Sequence, residues 1–280
     1  MSPPRTSAHH AAPAEPDPPR PYPAVAFDLD GTLYVSGVPI PGAPEAVSAI
    51  RSSGRAVLFV SNNPLRTPRQ YAERLTGIGI PATEDEVVTS AVVVAQWLGT
   101  EAPDEPVFAV GEPILHQQLH EAGIATTPDW REASVVLASF DRTFTYDTWR
   151  DACFALRAGA RFVATNPDAT CPTADGEIPD CGGIIAALET SSGRQLDAVA
   201  GKPSTVMSAR IRELLGVAAR DILVVGDRLA TDIALAHHAG FASAVVLSGV
   251  SDRAAVAATE WRPTHVLDSI AALPHLLGVN

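Results

Sequence analysis

The sequence is short of cysteine, of positive charge and of long apolar runs, and each shortage closes off a class of protein. Its three cysteines, Cys153, Cys171 and Cys181, are odd in number and show no paired metal-ligand spacing. That argues against a disulfide framework or a cysteine-built metal site and fits reduced thiols in a cytoplasmic protein. Lys and Arg total 20 against 32 Asp and Glu, a formal net charge of −12. Such a balance disfavours nucleic acid or an anionic membrane surface as a partner. No apolar run approaches a membrane span. Residues 1–23 are rich in Pro, Ala and charge and lack the apolar core of a signal peptide, so they read as a disordered tail.

The remainder is apolar enough for a real core, and its length fits one large or two modest domains. From Ala24 onward, short apolar runs alternate with amphipathic stretches, the pattern of an α/β protein with a parallel sheet. The run Ala24–Phe27 ends in Asp28-Leu29-Asp30-Gly31-Thr32. Two carboxylates spaced i, i+2 at a strand end point the same way, and Gly31 lets the backbone turn sharply beside a ligand. Paired acids at the carboxyl edge of a parallel sheet suit a hard cation, a phosphate, or both.

Three further pieces follow in order. The run 57–60 ends in Ser61-Asn62-Asn63, a hydroxyl and amides able to donate to an oxyanion. Gly201-Lys202-Pro203 follows the run 196–200; Pro203 suits the first turn of a helix, which would fix the Lys202 charge at a loop-to-helix junction. The run 222–225 ends in Gly226-Asp227-Arg228-Leu229-Ala230-Thr231-Asp232. Each piece alone has an ordinary reading as a turn or a solvated helix start; four at strand ends in one chain are hard to ascribe to coincidence. Thr67-Pro68-Arg69-Gln70 predicts a capped helix start. Between residues 85 and 197 the chain has strand–helix units of its own, too long a stretch for a loop. Its candidate strands are 107–110, 135–139 and 161–165, and its candidate helices 114–122, 147–158 and 183–191.

Together these pieces resemble the haloacid dehalogenase superfamily of phosphohydrolases over nearly the whole chain after the tail. Asp28 and Asp30 match its first motif, Ser61 the second, Lys202 the third, and Asp227 with Asp232 the fourth. The insert resembles the C2-type cap of subfamily IIA, which holds NagD-like nucleotide phosphatases, phosphoglycolate phosphatases and 4-nitrophenyl phosphatases. Thr165-Asn166-Pro167-Asp168 and Ile178-Pro179-Asp180-Cys181-Gly182-Gly183 carry that likeness. The chain departs from the subfamily pattern at Thr32, at Ala230 and in the loop 179–182, and the last departure bears on substrate identity.

The resemblance implies a Rossmann-like three-layer α/β core with a parallel sheet, residues 24–84 and 198–280, and an inserted α/β C2-type cap, residues 85–197. It also implies Mg²⁺-dependent hydrolysis of a small phosphorylated metabolite (a nucleotide, a sugar phosphate, phosphoglycolate or glycerol phosphate) through an aspartyl-phosphate. In that scheme Asp28 is the nucleophile, and Asp30 protonates the leaving alcohol and then deprotonates water. Mg²⁺ is held by Asp28, Asp227 and the Asp30 backbone carbonyl, with Asp232 acting through a water on the metal or by positioning Lys202. Ser61 and Lys202, with backbone amides near Leu29 and Asn62, bind the phosphoryl oxygens. Asn63, Arg66, Asn166, Asp168 and Cys181 are candidates for substrate contact, with turn chemistry or a solvated helix entry as the alternatives. Cap-bearing relatives often pair through the cap, so the resemblance implies a homodimer. A phosphomutase or phosphotransferase on the same aspartyl-phosphate is an alternative, as is a receiver-like phospho-acceptor, although a receiver has no second acid in the place of Asp30.

Overall fold

The computed structural model describes residues 22–173 and 175–279. Residues 1–21 of the expected tail lie outside the described residues. Its end does not behave as tail: Tyr22 is buried in the core, with its hydroxyl 3.1 Å from His265 Nε2.

Six parallel strands form the main sheet, in the order His265–Leu267, Ala242–Val246, Ile222–Gly226, Ala24–Phe27, Ala56–Ser61 and Val87–Thr89. Alternation along each strand sends side chains to two apolar layers. Val25, Phe27, Val57, Phe59, Leu223 and Val225 join one cluster with Val47, Ile50, Tyr71 and Leu75 of the helices Ala43–Ser52 and Pro68–Gly77. Ala24, Ala26, Leu58, Val60, Ile222 and Val224 join the other with residues of Ser90–Glu101, Thr205–Leu215 and Ala234–Ala239. These are the three layers expected of the core. The helix at 68 begins as predicted: Thr67 Oγ1 accepts from Gln70 N, and Gln70 Oε1 accepts from Thr67 N.

A second parallel sheet runs in the order Ala198–Val199, Arg161–Ala164, Val135–Ala138 and Val107–Val110. One face packs on the helices Tyr146–Arg157 and Cys181–Ser192. Val107, Val135, Leu137 and Val163 on its other face belong to the same apolar cluster as the main sheet, joined through Ser90–Glu101. That helix reads Ser-Ala-Val-Val-Val-Ala-Gln-Trp-Leu and is apolar nearly all round, as a helix shared between two sheets must be.

Both junctions expected from the sequence shift. Val87–Thr89, expected in the insert, pairs with Phe59, Val60 and Ser61 in the main sheet. Ala198–Val199, expected in the core, pairs with Val163 and Ala164 of the insert. Short apolar runs reveal strand character but not which sheet recruits them.

Ala24–Phe27 is flanked by Ile222–Gly226 on one side and Ala56–Ser61 on the other, so connections leave it in opposite directions. A crevice opens beyond the carboxyl end of such a strand. Asp28 is the first residue past that end.

Candidate active site

Asp28 extends its strand by one more bond, its N–H donating to Val225 O at 2.8 Å. The chain then turns at Gly31, which adopts φ 90°; a Cβ there would sit 2.2 Å from Asp227 Oδ2. Only glycine therefore lets the first acidic loop close on the fourth. Gly226 plays the same part beneath Asp232, whose Cγ would lie 2.2 Å from an added Cβ.

Lys202 binds the set together. Its Nζ lies 2.5 Å from Asp28 Oδ1, 2.7 Å from Asp232 Oδ1 and 3.3 Å from Val60 O, and its side chain is only 3% exposed. Burial pulls its ammonium down, but Asp232 and Asp28 outweigh burial and raise it, so the charge is permanent. Burial pushes Asp28 well above the ordinary carboxylate range, against the pull of Lys202 and with the help of Asp232 and Asp227. Asp30 is also raised by burial, opposed by Arg74 and by the hydrogen bond from Tyr34. Lys202 enters this site from a loop: the helix starts at Thr205 with Ser204 as its cap, not at Pro203 as expected.

One carboxylate oxygen from each of Asp28, Asp227 and Asp232 lies within 4.8 Å of the others. Asp227 Oδ2 accepts from Val250 N at 2.8 Å, whereas its Oδ1 is buried and has no hydrogen-bond partner among the described residues. An orphaned carboxylate oxygen beside a second carboxylate is a hard-donor set that suits a divalent cation such as Mg²⁺. Asp232 is less free to ligate, because its Oδ1 is held by Lys202 and its Oδ2 by Arg228 N at 3.1 Å.

Asn62 does more than offer a backbone amide. Its side chain accepts from Lys202 N at 2.7 Å and donates to Lys202 O at 3.0 Å, closing on one residue from both sides. The same Nδ2 donates to Asp168 Oδ2 of the insert at 2.7 Å. Asp168 also receives Asn166 Nδ2 at 3.0 Å and faces Arg228 Nη1 at 3.6 Å. Arg228 donates in addition to Thr170 O at 3.2 Å, and Asn63 Nδ2 donates to Cys171 Sγ at 3.6 Å. The insert thus closes over the sheet end through the loop 166–172.

The cavity between them is lined by Asp28, Asp30, Ser61, Asn62, Asn63 and Lys202 from the core and by Asp168 and Asp180 from the insert; Thr170, Cys171, Pro172, Arg228 and Thr231 complete it. All four motif regions picked out in the sequence border it, the fourth through Arg228 and Thr231.

That geometry can be set beside known proteins. A family profile described as haloacid dehalogenase-like hydrolase matches residues 25–125, and one described as HAD-hydrolase-like matches residues 199–273. The 5′-nucleotidase YutF of Bacillus subtilis strain 168 is 36% identical over 249 residues, 89% of this chain and 96% of that protein. The chain belongs to the haloacid dehalogenase-like hydrolases. The sugar-phosphatase AraL of the same organism is 33% identical, covering 95% of each chain. Among solved structures, the 4-nitrophenylphosphatase of Thermotoga maritima superposes with a TM-score of 0.85 at 32% identity, covering 90% of this chain and 96% of that one. The resemblance to subfamily IIA and the capped α/β fold are both confirmed.

Within this hydrolase, several candidates for substrate contact sit elsewhere than expected. Cys181 is wholly buried in the apolar layer of the insert, because 181–183 form the first turn of a helix capped by Asp180 rather than a loop. Asn166 is also fully buried and holds Asp168 and, at 3.1 Å, Asp180 Oδ1; it shapes the cavity wall from behind. Arg66 stacks over the Tyr71 ring at 5.9 Å. The Leu29 side chain is buried in the core, so only its backbone can face a ligand. Sequence reasoning passed over Arg228, although it follows Asp227 directly, and over Cys171, whose thiol burial pushes up to about 12 and so keeps protonated. His116 and His120, whose i, i+4 spacing on a helix could hold a metal, are both exposed on the helix Pro113–Glu121, and among the described residues they belong to no group of three candidate metal ligands.

Proposed function

We propose that this chain hydrolyses small phosphate monoesters through a phospho-Asp28 intermediate, with Mg²⁺ as its cation. The observation that carries this reading is the convergence of Asp28, Asp30, Ser61 and Lys202 on one cavity, with Asp227 against Asp28. An Asp28 oxygen bonds to phosphorus while the bond from phosphorus to the leaving oxygen breaks. Asp30 donates its proton to that oxygen, so the product leaves as an alcohol. Water then attacks the phosphorus and gives a proton to the Asp30 carboxylate; the bond to Asp28 breaks, releasing phosphate and restoring both acids. Lys202 and the Ser61 hydroxyl, fixed before substrate arrives, offset the charge on the phosphoryl oxygens. Mg²⁺ held by Asp28 and Asp227 would supply further positive charge against those oxygens. Asp232 holds Lys202 and the Arg228 backbone in place.

The far wall favours one class of ester. Asp168, Thr170 and Asp180 of the insert, with Asn63 of the core, offer acceptors and amides for hydroxyl groups, and none of the described residues lining the cavity is aromatic. A sugar or polyol finds hydrogen-bond partners there, whereas a nucleobase finds no ring on which to stack. The test is phosphate release from a panel of several dozen phosphorylated metabolites with Mg²⁺, run beside the Asp28→Asn variant. Sugar and polyol phosphates should lead nucleoside monophosphates, with the variant silent throughout. Turnover surviving in the variant would overturn the mechanism, and nucleotides in the lead would overturn the substrate class.

A further inference from the structure

Tyr34 has no place in the reaction as written, yet it is 1% exposed and donates its hydroxyl to Asp30 Oδ2 at 3.3 Å. It also ties the loop that carries Asp30. Gly31 N donates to Tyr34 O at 2.8 Å, and Tyr34 N donates to Leu29 O at 3.3 Å. The ring is held from behind by the Arg74 guanidinium, 4.8 Å from its centroid. Arg74 is in turn packed against Gly37, where an added Cβ would meet Nη2 at 2.8 Å. Burial raises the phenol above its ordinary range, so it stays protonated and acts as donor.

We propose that Tyr34 is the positioning residue for Asp30, holding Oδ2 by its O–H so that Oδ1 carries the proton delivered to the leaving oxygen. This rests on the phosphatase reading above. A carboxyl group free to rotate about its Cβ–Cγ bond presents the proton in many directions; one tethered oxygen and a ring wedged by a guanidinium restrict it to a single presentation. The proton passes from Asp30 Oδ1 to the leaving oxygen as the phosphorus–oxygen bond breaks, and the tyrosine keeps its own.

The consequence is selective. An alkyl phosphate such as glycerol phosphate needs protonation of its leaving alkoxide, whereas 4-nitrophenyl phosphate releases a phenolate that departs unaided. The experiment compares kcat/KM, which reports the step that breaks the ester, for both esters in wild type and Tyr34→Phe. Urea midpoints would be measured alongside. The ring of the variant still fills the space under Arg74. The alkyl ester should lose about tenfold and the aryl ester no more than about twofold. Equal losses on the two esters would assign Tyr34 a merely structural role and overturn the proposal, as would no loss on either. The wild-type measurement separates this from the parent reading: if neither ester is hydrolysed, the phosphatase reading itself falls, and the inference with it.

Discussion

Replacing Asn62 by alanine should cost this fold more than any other single amide on the cavity. Its side chain makes two neutral hydrogen bonds to the main chain of Lys202, at 2.7 and 3.0 Å, and one at 2.7 Å to the Asp168 carboxylate. The residue is only 9% exposed, so water does not simply take over those partners. At about 1 kcal/mol for each neutral bond and about 2 kcal/mol for the one to a charge, Asn62→Ala should cost about 3–4 kcal/mol. Urea unfolding reads this as a lower midpoint at unchanged slope. kcat should fall at least about tenfold as well, because Lys202 loses the clamp on its backbone. Asn62→Asp sharpens the test. Its Oδ1 analogue still accepts from Lys202 N, but a second carboxylate oxygen would then face Asp168 and Lys202 O. That carboxyl would be easier to protonate in the folded protein than in the unfolded chain, so its penalty is full at high pH and fades as pH falls. The variant should be less stable than Asn62→Ala at pH 8 and close to it at pH 5. A loss below about 1 kcal/mol for Asn62→Ala, or no pH dependence for Asn62→Asp, would refute this reasoning.

Other predictions follow from single contacts. Gly31→Ala forces a side chain into φ 90° and onto Asp227, so it should abolish phosphate release and lower the urea midpoint; a fully active variant would contradict the packing described here. Burial pushes Asp180 up to about 6 from an ordinary 3.8, so its contribution to stability falls as pH rises through that window. Asp180→Asn, which keeps an oxygen for capping Cys181, should flatten that slope and gain up to about 3 kcal/mol at neutral pH, with little change at pH 4; equal effects at both would count against it. Mg²⁺ at about a hundred times its Kd should raise the melting temperature by roughly 5 °C, and Asp227→Asn should remove the shift. An undiminished shift in the variant would place the cation elsewhere.

The parts legible in the sequence were those where backbone geometry and chemistry impose a residue type. Asp28, Asp30 and Gly31 had to follow a strand, Ser61 and Lys202 had to supply fixed donors, and Thr67 with Gln70 had to cap a helix. The parallel strands 24–27, 56–61, 107–110, 135–138, 161–164 and 222–226 were visible as apolar runs. Less legible was everything decided by a partner distant in sequence. Val87–Thr89 and Ala198–Val199 joined sheets that local pattern does not name. Cys181 looked like a loop residue until Asp180 capped a helix over it. Arg228 and Asp168 become a pair only when 60 residues of chain bring the insert back over the core. Tyr34 carries no signal of its own in the sequence, and its hydroxyl gains meaning only beside Asp30 and Arg74.

The measurement that tests the central claim most directly is acid quenching of the enzyme during turnover, followed by peptide mass mapping. A phosphoryl group should appear on the peptide containing Asp28 and nowhere else, should vanish when substrate is exhausted, and should be absent in Asp28→Asn. A phosphoryl group on another residue, or steady turnover in the Asp28→Asn variant, would contradict the account.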